Sequence, residues 1–274
     1  MARGDGDRLV WCERGHRHWG RFGAAGLLPV SDGHVLLQHR AKLTIGGGTW
    51  ALFGGARDSH EDAVEAAMRE TAEESTLPVE DVTLFGSVHD DHGGWAYDTV
   101  IGSIPSTVDV EPVSWESTGA AWVPLANVPG MKLYEPFALG WPRLLTCLRR
   151  PVLVVDGANV VGSRPDGWWR DRAGAAARLR DALESLRAID GFAPFEVANP
   201  EVVLVVEGKA SGIADGDAVR VIAAPGSGDD TIVSTVESTA GAPCLVVTAD
   251  RELRRRCAAV GADSVGPGWL RSRL

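Results

Sequence analysis

The pattern of hydrophobic and polar positions along the chain changes near residue 150. Before that point, the segment 23–39 carries two short apolar runs around Ser-Asp-Gly, a pattern that predicts a β-hairpin turning at Ser31 to Gly33. After it, short and continuous apolar runs alternate with stretches of helical composition, which favours a parallel sheet covered on both faces. A chain of 274 residues can form two domains or one large α/β domain. We expect two, over residues 1–150 and 151–274.

The first half is predicted to hold one main helix among short strands. This helix is expected over 59–74, where Ser59 and Asp62 have the spacing of a capping box. The other expected elements of this half are a WALF strand after Gly46 to Gly48, strands at 82–88, 97–104 and 120–123, and a closing helix at 137–149.

The second half is predicted to alternate strands and helices. Its expected strands are 152–155, 202–206, 219–223 and 244–248, and its expected helices are 171–189, 230–238 and 251–259. A turn is expected directly after Asp156.

Composition places the chain among ordinary globular proteins, with 45% apolar and 23% charged residues. The net charge of −10 argues against a protein held on nucleic acid by its overall field. Its cysteines are widely spaced, which favours free thiols in a reducing compartment, and no apolar run approaches the roughly 20 residues that span a bilayer. We therefore expect a cytoplasmic protein with no membrane partner; the sequence leaves its oligomeric state undetermined.

Three glutamates on the predicted helix of the first half point to a cation site. Glu70, Glu73 and Glu74 stand at i, i+3 and i+4 and so share one helix face. Carboxylates this close repel one another unless a cation lies among them, and Mg²⁺ or Mn²⁺ prefers oxygen ligands and bridges phosphates. Arg69 and Glu61 lie two turns apart and are expected to pair. Taken alone, the same residues could form a solvated acidic face.

The segment from Gly55 to Ser75 resembles the Nudix box, Gx5Ex7REUxEExGU, and the resemblance extends over about 20–148. The positions in register are Gly55, Glu61, Arg69, Glu70, Thr71, Glu73 and Glu74. The resemblance implies an α/β/α sandwich with a mixed sheet that hydrolyses the diphosphate linkage of a nucleoside triphosphate or nucleoside diphosphate derivative. It also implies Mg²⁺ or Mn²⁺ bound by Glu70, Glu73, Glu74 and the Gly54 carbonyl, catalysis by these glutamates, and Glu61 and Arg69 as organisers.

The chain departs from this pattern in two places. The box ends in x-Gly-U, where this chain has Ser75, Thr76 and Leu77, so the glycine at the end of the helix is replaced; if the helix ends at Ser75 in a left-handed turn, the serine costs about 1 kcal/mol. Phe53 stands where many family members place proline, which bears on substrate choice. Glu116 is either a further acid facing the site or a solvated loop acid.

Several aromatic and basic residues have two interpretations. Trp95, Tyr97 and Trp122 could stack a base, but aromatic residues at strand spacing are more often core. His39 and Arg40 could meet phosphates or form the polar end of a hairpin.

Cys12, His16 and His18 in CERGHRHWG were considered as zinc ligands. A fourth ligand and the usual spacings are both missing locally, so the sequence argues against a zinc site.

Acids follow the predicted strands of the second half. Asp156, Glu207 and Asp250 come after three strands, and Asp229 and Asp230 open a helix after a fourth. The carboxyl ends of parallel strands meet at one edge of a sheet, so these groups are expected to converge there with Asn159 beside them. Each acid taken singly could be an ordinary helix cap.

The strings VDGANVV and VVTADRELRRRCAAVGADSVGPGWL resemble the PIN-like superfamily, in its NYN branch with the YacP-like nucleases, over about 151–271. The resemblance implies a parallel sheet covered by helices and a metal-dependent ribonuclease. By that likeness Asp156, Asp229, Asp230 and Asp250 bind Mg²⁺ or Mn²⁺, Asp156 and Asp230 are catalytic, and Asn159 supports them. The arginines expected to guide RNA are Arg164, Arg170, Arg172 and Arg254 to Arg256.

The leading hypothesis is therefore a two-domain metal-dependent hydrolase with a nucleotide substrate in the first half and RNA in the second. One alternative makes the first half a nucleotide sensor that regulates the second. Another makes the second half a non-catalytic RNA-binding module.

Overall fold

The computed structural model describes residues 4–165, 167–239 and 241–274. The chain forms two compact units. The first runs to Leu148 and includes Pro194–Val197; the second comprises Arg149–Ala193 and Ala198–Leu274. Within the described residues, no helix is both long and apolar enough to cross a membrane.

Among the described residues before 149, the first unit contains nine strands and two α-helices. They are β1 (Leu9–Trp11), β2 (Arg17–Trp19), β3 (Ala24–Ser31), β4 (His34–Arg40), β5 (Trp50–Ala51), β6 (Phe53–Ala56), α1 (Ala63–Glu74), β7 (Thr83–Asp91), β8 (Ala96–Ser103), β9 (Ser117–Pro124) and α2 (Glu135–Leu144).

The predicted hairpin is confirmed as β3 and β4, which pair Ser31 with His34. Its two-residue turn needs positive φ at both positions, and Asp32 and Gly33 have φ values of 46° and 75°. Aspartate followed by glycine suits such a turn because both residues tolerate the left-handed region.

The main sheet of this unit is mixed, as expected. Strand β3 pairs in parallel with β8 and antiparallel with β6 and β4. Helix α1 packs against β3 and β6 through Ala66 and Ala67, which are fully buried. Small side chains on this face let the helix approach the sheet closely, which brings its acidic positions beside the Gly54–Gly55 segment of β6.

Helix α1 begins later than its sequence pattern suggested. Asp62, not Ser59, caps it: Asp62 accepts a hydrogen bond from the Glu65 amide, and Glu65 in turn accepts from the Asp62 amide. Ser59 instead donates to Asp5. Ser59 does not cap the helix because its amide and hydroxyl both donate to Asp5, whereas Asp62 and Glu65 form the reciprocal hydrogen bonds of a capping box.

Ser75 ends α1 without a left-handed turn. Its backbone is extended, with φ −144° and ψ 165°, and its hydroxyl donates to the carbonyl of Thr71. The expected strain of about 1 kcal/mol is therefore absent, because a serine adopts this conformation freely.

The aromatic side chains at strand spacing belong to the core, the interpretation that the sequence favoured. Trp95 is buried and donates its indole N–H to the Gly20 carbonyl. Trp122 is half-buried against the core cluster beneath α1 and donates to Val108.

The helix predicted over 137–149 is shorter and begins earlier, as α2. It gives way to a 3₁₀ turn at Leu145–Cys147. Leu144, Cys147 and Leu148 are buried at this turn, whereas Leu145 is 48% exposed.

The second unit carries the remaining elements. They are β10 (Val152–Asp156), α3 (Gly157–Gly162), α4 (Arg172–Leu183), β11 (Ile189–Asp190), β12 (Val197–Ala198), β13 (Glu201–Val206), β14 (Val219–Ala223), α5 (Gly228–Ser238), β15 (Cys244–Val247), α6 (Arg251–Ala259), β16 (Asp263–Val265) and α7 (Pro267–Arg271); β12 begins at Val197, which belongs to the first unit.

The sheet of this unit is entirely parallel, which confirms the predicted type. Its strand order is β14-β13-β10-β15-β16, so the order reverses at the central strand β10. Strand β10 is buried along its whole length, because side chains on both of its faces meet covering residues. Ligands of such sheets bind where the order reverses, at the carboxyl ends of the strands.

Three expectations for this unit were wrong in detail. The short helix α3, not a turn, follows Asp156 at once, because the Asp156 carboxylate caps it by accepting from the Asn159 amide. Helix α4 ends at Leu183, six residues before the predicted end, and Ala188 beyond it has a positive φ of 51°. The short elements β16 and α7 were not predicted, since three- and five-residue segments carry little periodicity.

Candidate active sites

An ion-paired clamp joins α1 to the glycine segment of β6, as the spacing of Glu61 and Arg69 predicts. The Arg69 guanidinium donates to both carboxylate oxygens of Glu61, at 2.5 and 2.9 Å, and to the carbonyl of Ala56 at 3.0 Å. The Glu61 side chain is only 7% exposed, and the guanidinium holds the pKa of that carboxyl below its usual value. The clamp therefore fixes the register of the helix against the loop that precedes it.

The two glycines of this segment are required by close approach. A Cβ on Gly54 would meet the Ala25 carbonyl at 2.3 Å, since the two strands are in tight contact. A Cβ on Gly55 would lie 2.5 Å from the Glu70 carboxylate. Glycine at these positions lets the acidic side chains of α1 lie directly over the strand.

The three predicted metal-binding glutamates have different surroundings. Glu70 is largely buried and accepts from Arg69 at 2.8 Å, whereas Glu73 is 44% exposed and lies 3.8 Å from the same guanidinium. Glu74 is buried, and one of its oxygens has no hydrogen-bond partner. Among the residues that the structure describes, these three do not form a set with ligand atoms within 4.8 Å of one another.

Glu74 carries the strongest electrostatic signature of this site. Burial raises its pKa to about 8, and the negative charges of Glu70 and Glu116 add to the effect. The backbone of Gly54 and the positive charge of Arg40 oppose it in part. The sequence left the role of Glu116 open. In the structure it lies close enough to Glu74 for its negative charge to raise the pKa of Glu74.

This donor set fits a hard divalent cation. It offers carboxylate oxygens, including one buried oxygen of Glu74 without a partner, in a field of like charges that a cation would relieve. Burial likewise raises the pKa of Glu70, so burial disfavours the charged form of both acids when no cation is bound.

Arg40 lies on the same side of the unit. Its guanidinium hydrogen-bonds the Ile45 carbonyl and stands over the Tyr134 ring at 5.7 Å from the centroid. His39 pairs with Thr118 at 2.6 Å and packs against Trp50. Of the two polar residues at this end of the hairpin, Arg40 is the one whose positive charge lowers the pKa of Glu74.

A second group of acids lines a cavity of about 290 Å³ in the second unit. The cavity lies at the carboxyl edge of the parallel sheet, where its strand order reverses. Its acidic lining residues are Asp156, Glu207, Asp229 and Asp250, with Asn159 among the polar ones.

Asp156 is the buried centre of this cavity. It accepts hydrogen bonds from the Asn159 amide at 3.0 Å and from the Thr248 hydroxyl at 2.8 Å. Burial raises its pKa, and the nearby charges of Asp229 and Glu207 contribute to that rise. The side-chain oxygen of Asn159 accepts from the Ala249 amide, which ties helix α3 to the loop after β15.

The other acids approach from three different elements. Asp250 caps α6 through the Leu253 amide, and Glu207 accepts from the Gly228 amide at 2.9 Å. Burial and the charge of Asp250 raise the pKa of Asp229. The convergence expected from the strand ends is therefore present for these residues.

Asp230 differs from its neighbour. Its carboxylate accepts from Arg256 at 2.6 Å, its side chain is 71% exposed, and it does not line the cavity described above. Successive residues on a helix point about 100° apart, so Asp229 and Asp230 could not both face the same space. The sequence offered no means of choosing between them, because the phase of α5 depends on its packing.

Comparison with known proteins identifies one region. The sequence model of the NUDIX domain matches residues 20–140. A Mycobacterium tuberculosis protein named "Putative 8-oxo-dGTP diphosphatase 3" is 43% identical over 159 residues, which cover 53% of this chain and 72% of that protein. A Bifidobacterium longum protein named "Nucleoside triphosphate pyrophosphatase/Nudix hydrolase fusion protein" is 42% identical over 147 residues, which cover 50% of this chain and 30% of that protein.

A solved structure is related over the same half. The Nudix hydrolase RenU from M. smegmatis is 41% identical, with a TM-score of 0.48; the match covers 51% of this chain and 93% of that one. These relatives match about half of this chain.

Proposed function

This chain belongs to the Nudix family through residues 20–140, and on that premise we propose that its first unit hydrolyses the diphosphate linkage of a nucleoside triphosphate or nucleoside diphosphate derivative. The observation that carries the proposal is Glu74, a buried carboxylate with an unpartnered oxygen and a pKa raised to about 8 among other acids. A catalytic group that must bind a cation and handle protons near neutral pH is expected in such surroundings.

We assign the cation to Glu70, Glu73, Glu74 and the Gly54 carbonyl, with Mg²⁺ or Mn²⁺ as the ion. A bound divalent cation neutralises phosphate charge and lowers the pKa of water. Glu70 and Glu74 supply buried carboxylates, and Glu73 reaches in from the exposed side of α1.

Four further side chains have supporting roles. Glu61 and Arg69 keep α1 in register with the glycine segment. Glu116 adds negative charge beside Glu74, and its loop is joined to Ala41 by a backbone hydrogen bond of 2.7 Å. Arg40 is the basic group that would meet the phosphates of the substrate.

The first substrate to test is an oxidised purine nucleoside triphosphate, because the M. tuberculosis relative is named for 8-oxo-dGTP. A panel should also contain ordinary triphosphates and sugar or dinucleoside diphosphates, each with Mg²⁺ or Mn²⁺. Release of nucleoside monophosphate would be measured for the full chain and for Glu73→Gln and Glu74→Gln, which are expected to lose it. Glu80→Gln, an exposed glutamate beyond α1, is the matched control. Full activity in both glutamate variants would refute the assigned site.

We further propose that the second unit is a separate PIN-like domain of the NYN type that cleaves RNA with Mg²⁺ or Mn²⁺. The support is the cavity of about 290 Å³ at the reversal of the strand order, lined by Asp156, Glu207, Asp229 and Asp250. Carboxylates from separate loops suit one or two hard cations. Since Asp230 is paired with Arg256, we assign the metal-binding role to the four lining acids and not to Asp230.

RNA cleavage by the full chain tests this second activity. Asp156→Asn and Asp229→Asn are expected to abolish cleavage of a single-stranded RNA, and Asp230→Asn to retain most of it. Equal cleavage by wild type and Asp156→Asn would exclude the nuclease. RNA binding without cleavage in wild type would instead support a non-catalytic RNA-binding module.

A regulatory function of the first unit is the alternative. A nucleotide sensor would bind its ligand without turnover and change the RNA cleavage rate of the second unit. Measuring that rate with and without a bound nucleotide, in wild type and in Glu74→Gln, separates the two functions.

A further inference from the structure

A cluster of one cysteine and three histidines lies in the first unit, on elements that carry none of the acids described above. Its members are Cys12, His16, His18 and His92. One ligand atom of each lies within 4.8 Å of those of all the others. Three come from the β1–β2 hairpin and the fourth from the loop between β7 and β8, some 75 residues further along the chain. The conclusion that no fourth ligand exists was therefore wrong, because local spacing cannot reveal a ligand that the fold brings in from elsewhere.

Two imidazole nitrogens of this cluster have no hydrogen-bond partner. Nε2 of His18 and Nδ1 of His92 are buried and have no hydrogen-bond partner. Leaving two such buried polar atoms without a partner is energetically unfavourable. The two rings lie 4.7 Å apart between centroids, in edge-on contact, so both unsatisfied nitrogens belong to one confined space.

The surroundings hold these rings in position. His18 stacks on Trp95 at 3.9 Å with an interplanar angle of 10°. The other nitrogen of His92, Nε2, lies 3.3 Å from the Asp90 carboxylate. A histidine that gives one nitrogen to a carboxylate and keeps the other free has the arrangement in which imidazoles bind metals.

The state of His18 also suits a metal ligand. Burial lowers its pKa, and the neighbouring His92 and His16 lower it further. Only a neutral imidazole has a nitrogen lone pair for a metal.

We propose that Cys12, His16, His18 and His92 form a structural zinc site. Tetrahedral Zn²⁺ with bonds of about 2.0–2.1 Å to nitrogen and about 2.3 Å to sulfur sets neighbouring ligand atoms roughly 3.3–3.7 Å apart. The observed limit of 4.8 Å requires a contraction on the order of 1 Å. Binding removes the thiol proton of Cys12 to solvent, because the thiolate is the ligand.

The ligand chemistry selects zinc over the cations proposed for the acid sites. Mg²⁺ and Mn²⁺ prefer oxygen ligands, whereas thiolate with imidazole favours Zn²⁺. Four protein ligands fill a tetrahedral shell, which is typical of structural and not catalytic zinc.

The site would fasten the N-terminal hairpin to the β7–β8 loop. The two already touch through the Glu13 amide, which donates to the Gly93 carbonyl at 2.8 Å, and through Arg14, which donates to the Asp91 carbonyl. The hairpin has only three residues per strand, so few ladder hydrogen bonds hold it. A metal crosslink would supply the stability that so small a two-stranded sheet lacks on its own.

Metal analysis of the full chain tests the proposal. Protein purified without chelator and dialysed against excess Mg²⁺, which competes for carboxylate sites, is expected to retain about one zinc ion per chain. Cys12→Ser and His92→Gln are expected to lose most of that zinc. Cys147→Ser, a buried cysteine of the same unit outside the cluster, and His34→Gln, a histidine in the β3–β4 hairpin, are the matched controls.

Cobalt substitution identifies the ligands directly. Metal-free wild type titrated with Co²⁺ should develop the visible bands of tetrahedral cobalt and a near-ultraviolet thiolate-to-cobalt band. The thiolate band should be absent in Cys12→Ser and present in Cys147→Ser. Because wild type alone gives this spectrum, the test stands even if a variant fails to fold.

Two results would overturn the proposal. One is wild-type protein that contains no zinc and gives no thiolate band with Co²⁺. The other is zinc retention in Cys12→Ser equal to that of wild type. Retention in His92→Gln alone would refute the four-ligand site.

Discussion

Replacement of Glu74 by glutamine tests the electrostatics of the proposed hydrolase site without a substrate. The side chain is buried at the end of α1, and its pKa is raised to about 8 from the ordinary 4.5. Burial is the main cause, and the negative charges of Glu70 and Glu116 add to it. Glutamine has nearly the same shape and remains neutral at every pH.

The expected effect depends on pH with a definite sign. Between pH 4.5 and about 8, the folded protein keeps the Glu74 proton while the unfolded chain releases it. Stability falls with rising pH wherever the folded state binds more protons, so metal-free wild type loses stability across this window. At about 1.36 kcal/mol per pH unit, the loss amounts to up to about 5 kcal/mol. Glu74→Gln avoids this loss and should match wild type near pH 4.5 and exceed it increasingly up to about pH 8.

Urea unfolding followed by tryptophan fluorescence measures the difference. Wild type and variant are compared with chelator from pH 5 to 9, so that the contribution of the second unit cancels. Glu73→Gln, the adjacent and 44% exposed glutamate, is expected to give no such trend. Added Mg²⁺ should stabilise wild type at pH 8 more than it stabilises Glu74→Gln, because the proposed acid site of the second unit is present in both proteins. A difference that does not change with pH, or a variant less stable than wild type at pH 9, would refute the reasoning.

Three other substitutions give separate tests. Gly55→Ala should leave the melting temperature nearly unchanged but weaken Mn²⁺ binding about tenfold, because the new Cβ meets only the mobile end of the Glu70 side chain; calorimetric titration measures this. Ser75→Gly should destabilise the first unit by about 1 kcal/mol, since it removes the hydrogen bond to Thr71 and relieves no strain; urea unfolding measures this. Asp156→Asn should not lower metal-free stability at pH 7, because burial already disfavours the charged form; thermal unfolding with chelator measures this.

Each of these tests has a result that would contradict it. For Gly55→Ala it is a large fall in melting temperature with unchanged Mn²⁺ affinity. For Ser75→Gly it is a gain in stability, which would indicate a strained helix end. For Asp156→Asn it is a loss of several kcal/mol in the absence of metal.

The sequence predicted those parts of the first site that depend on spacing within one helix. The shared face of the i, i+3, i+4 glutamates follows from helical geometry, whereas the predicted Glu61–Arg69 pair is present although Glu61 precedes α1. The different burial of Glu73 and Glu74 could not be predicted, because it depends on how α1 lies on β6. Likewise, the capping-box spacing could not reveal that Ser59 pairs with Asp5, a contact between distant segments, and that Asp62 caps α1 instead.

Contacts between distant segments were the main omission. The parallel sheet and the convergence of strand-end acids were accessible, since they follow from topology rules. The approach of His92 to the N-terminal hairpin was not, because one sequence contains no signal for a pair so far apart. The choice between Asp229 and Asp230 required the phase of α5, which packing sets.

Asp156 and Asp250 each have two roles, and this affects what their retention in relatives can indicate. Each carboxylate faces the cavity of the second unit and also caps a helix, α3 or α6. A descendant that no longer cut any substrate would still be selected to keep both, since losing a cap costs about 1 kcal/mol. Retention of Asp156 and Asp250 in a relative would therefore be weak evidence that the relative is active. Asp229 lies within the first turn of α5 and not at its cap, so its loss in a relative would be the clearer sign that the proposed activity had been lost.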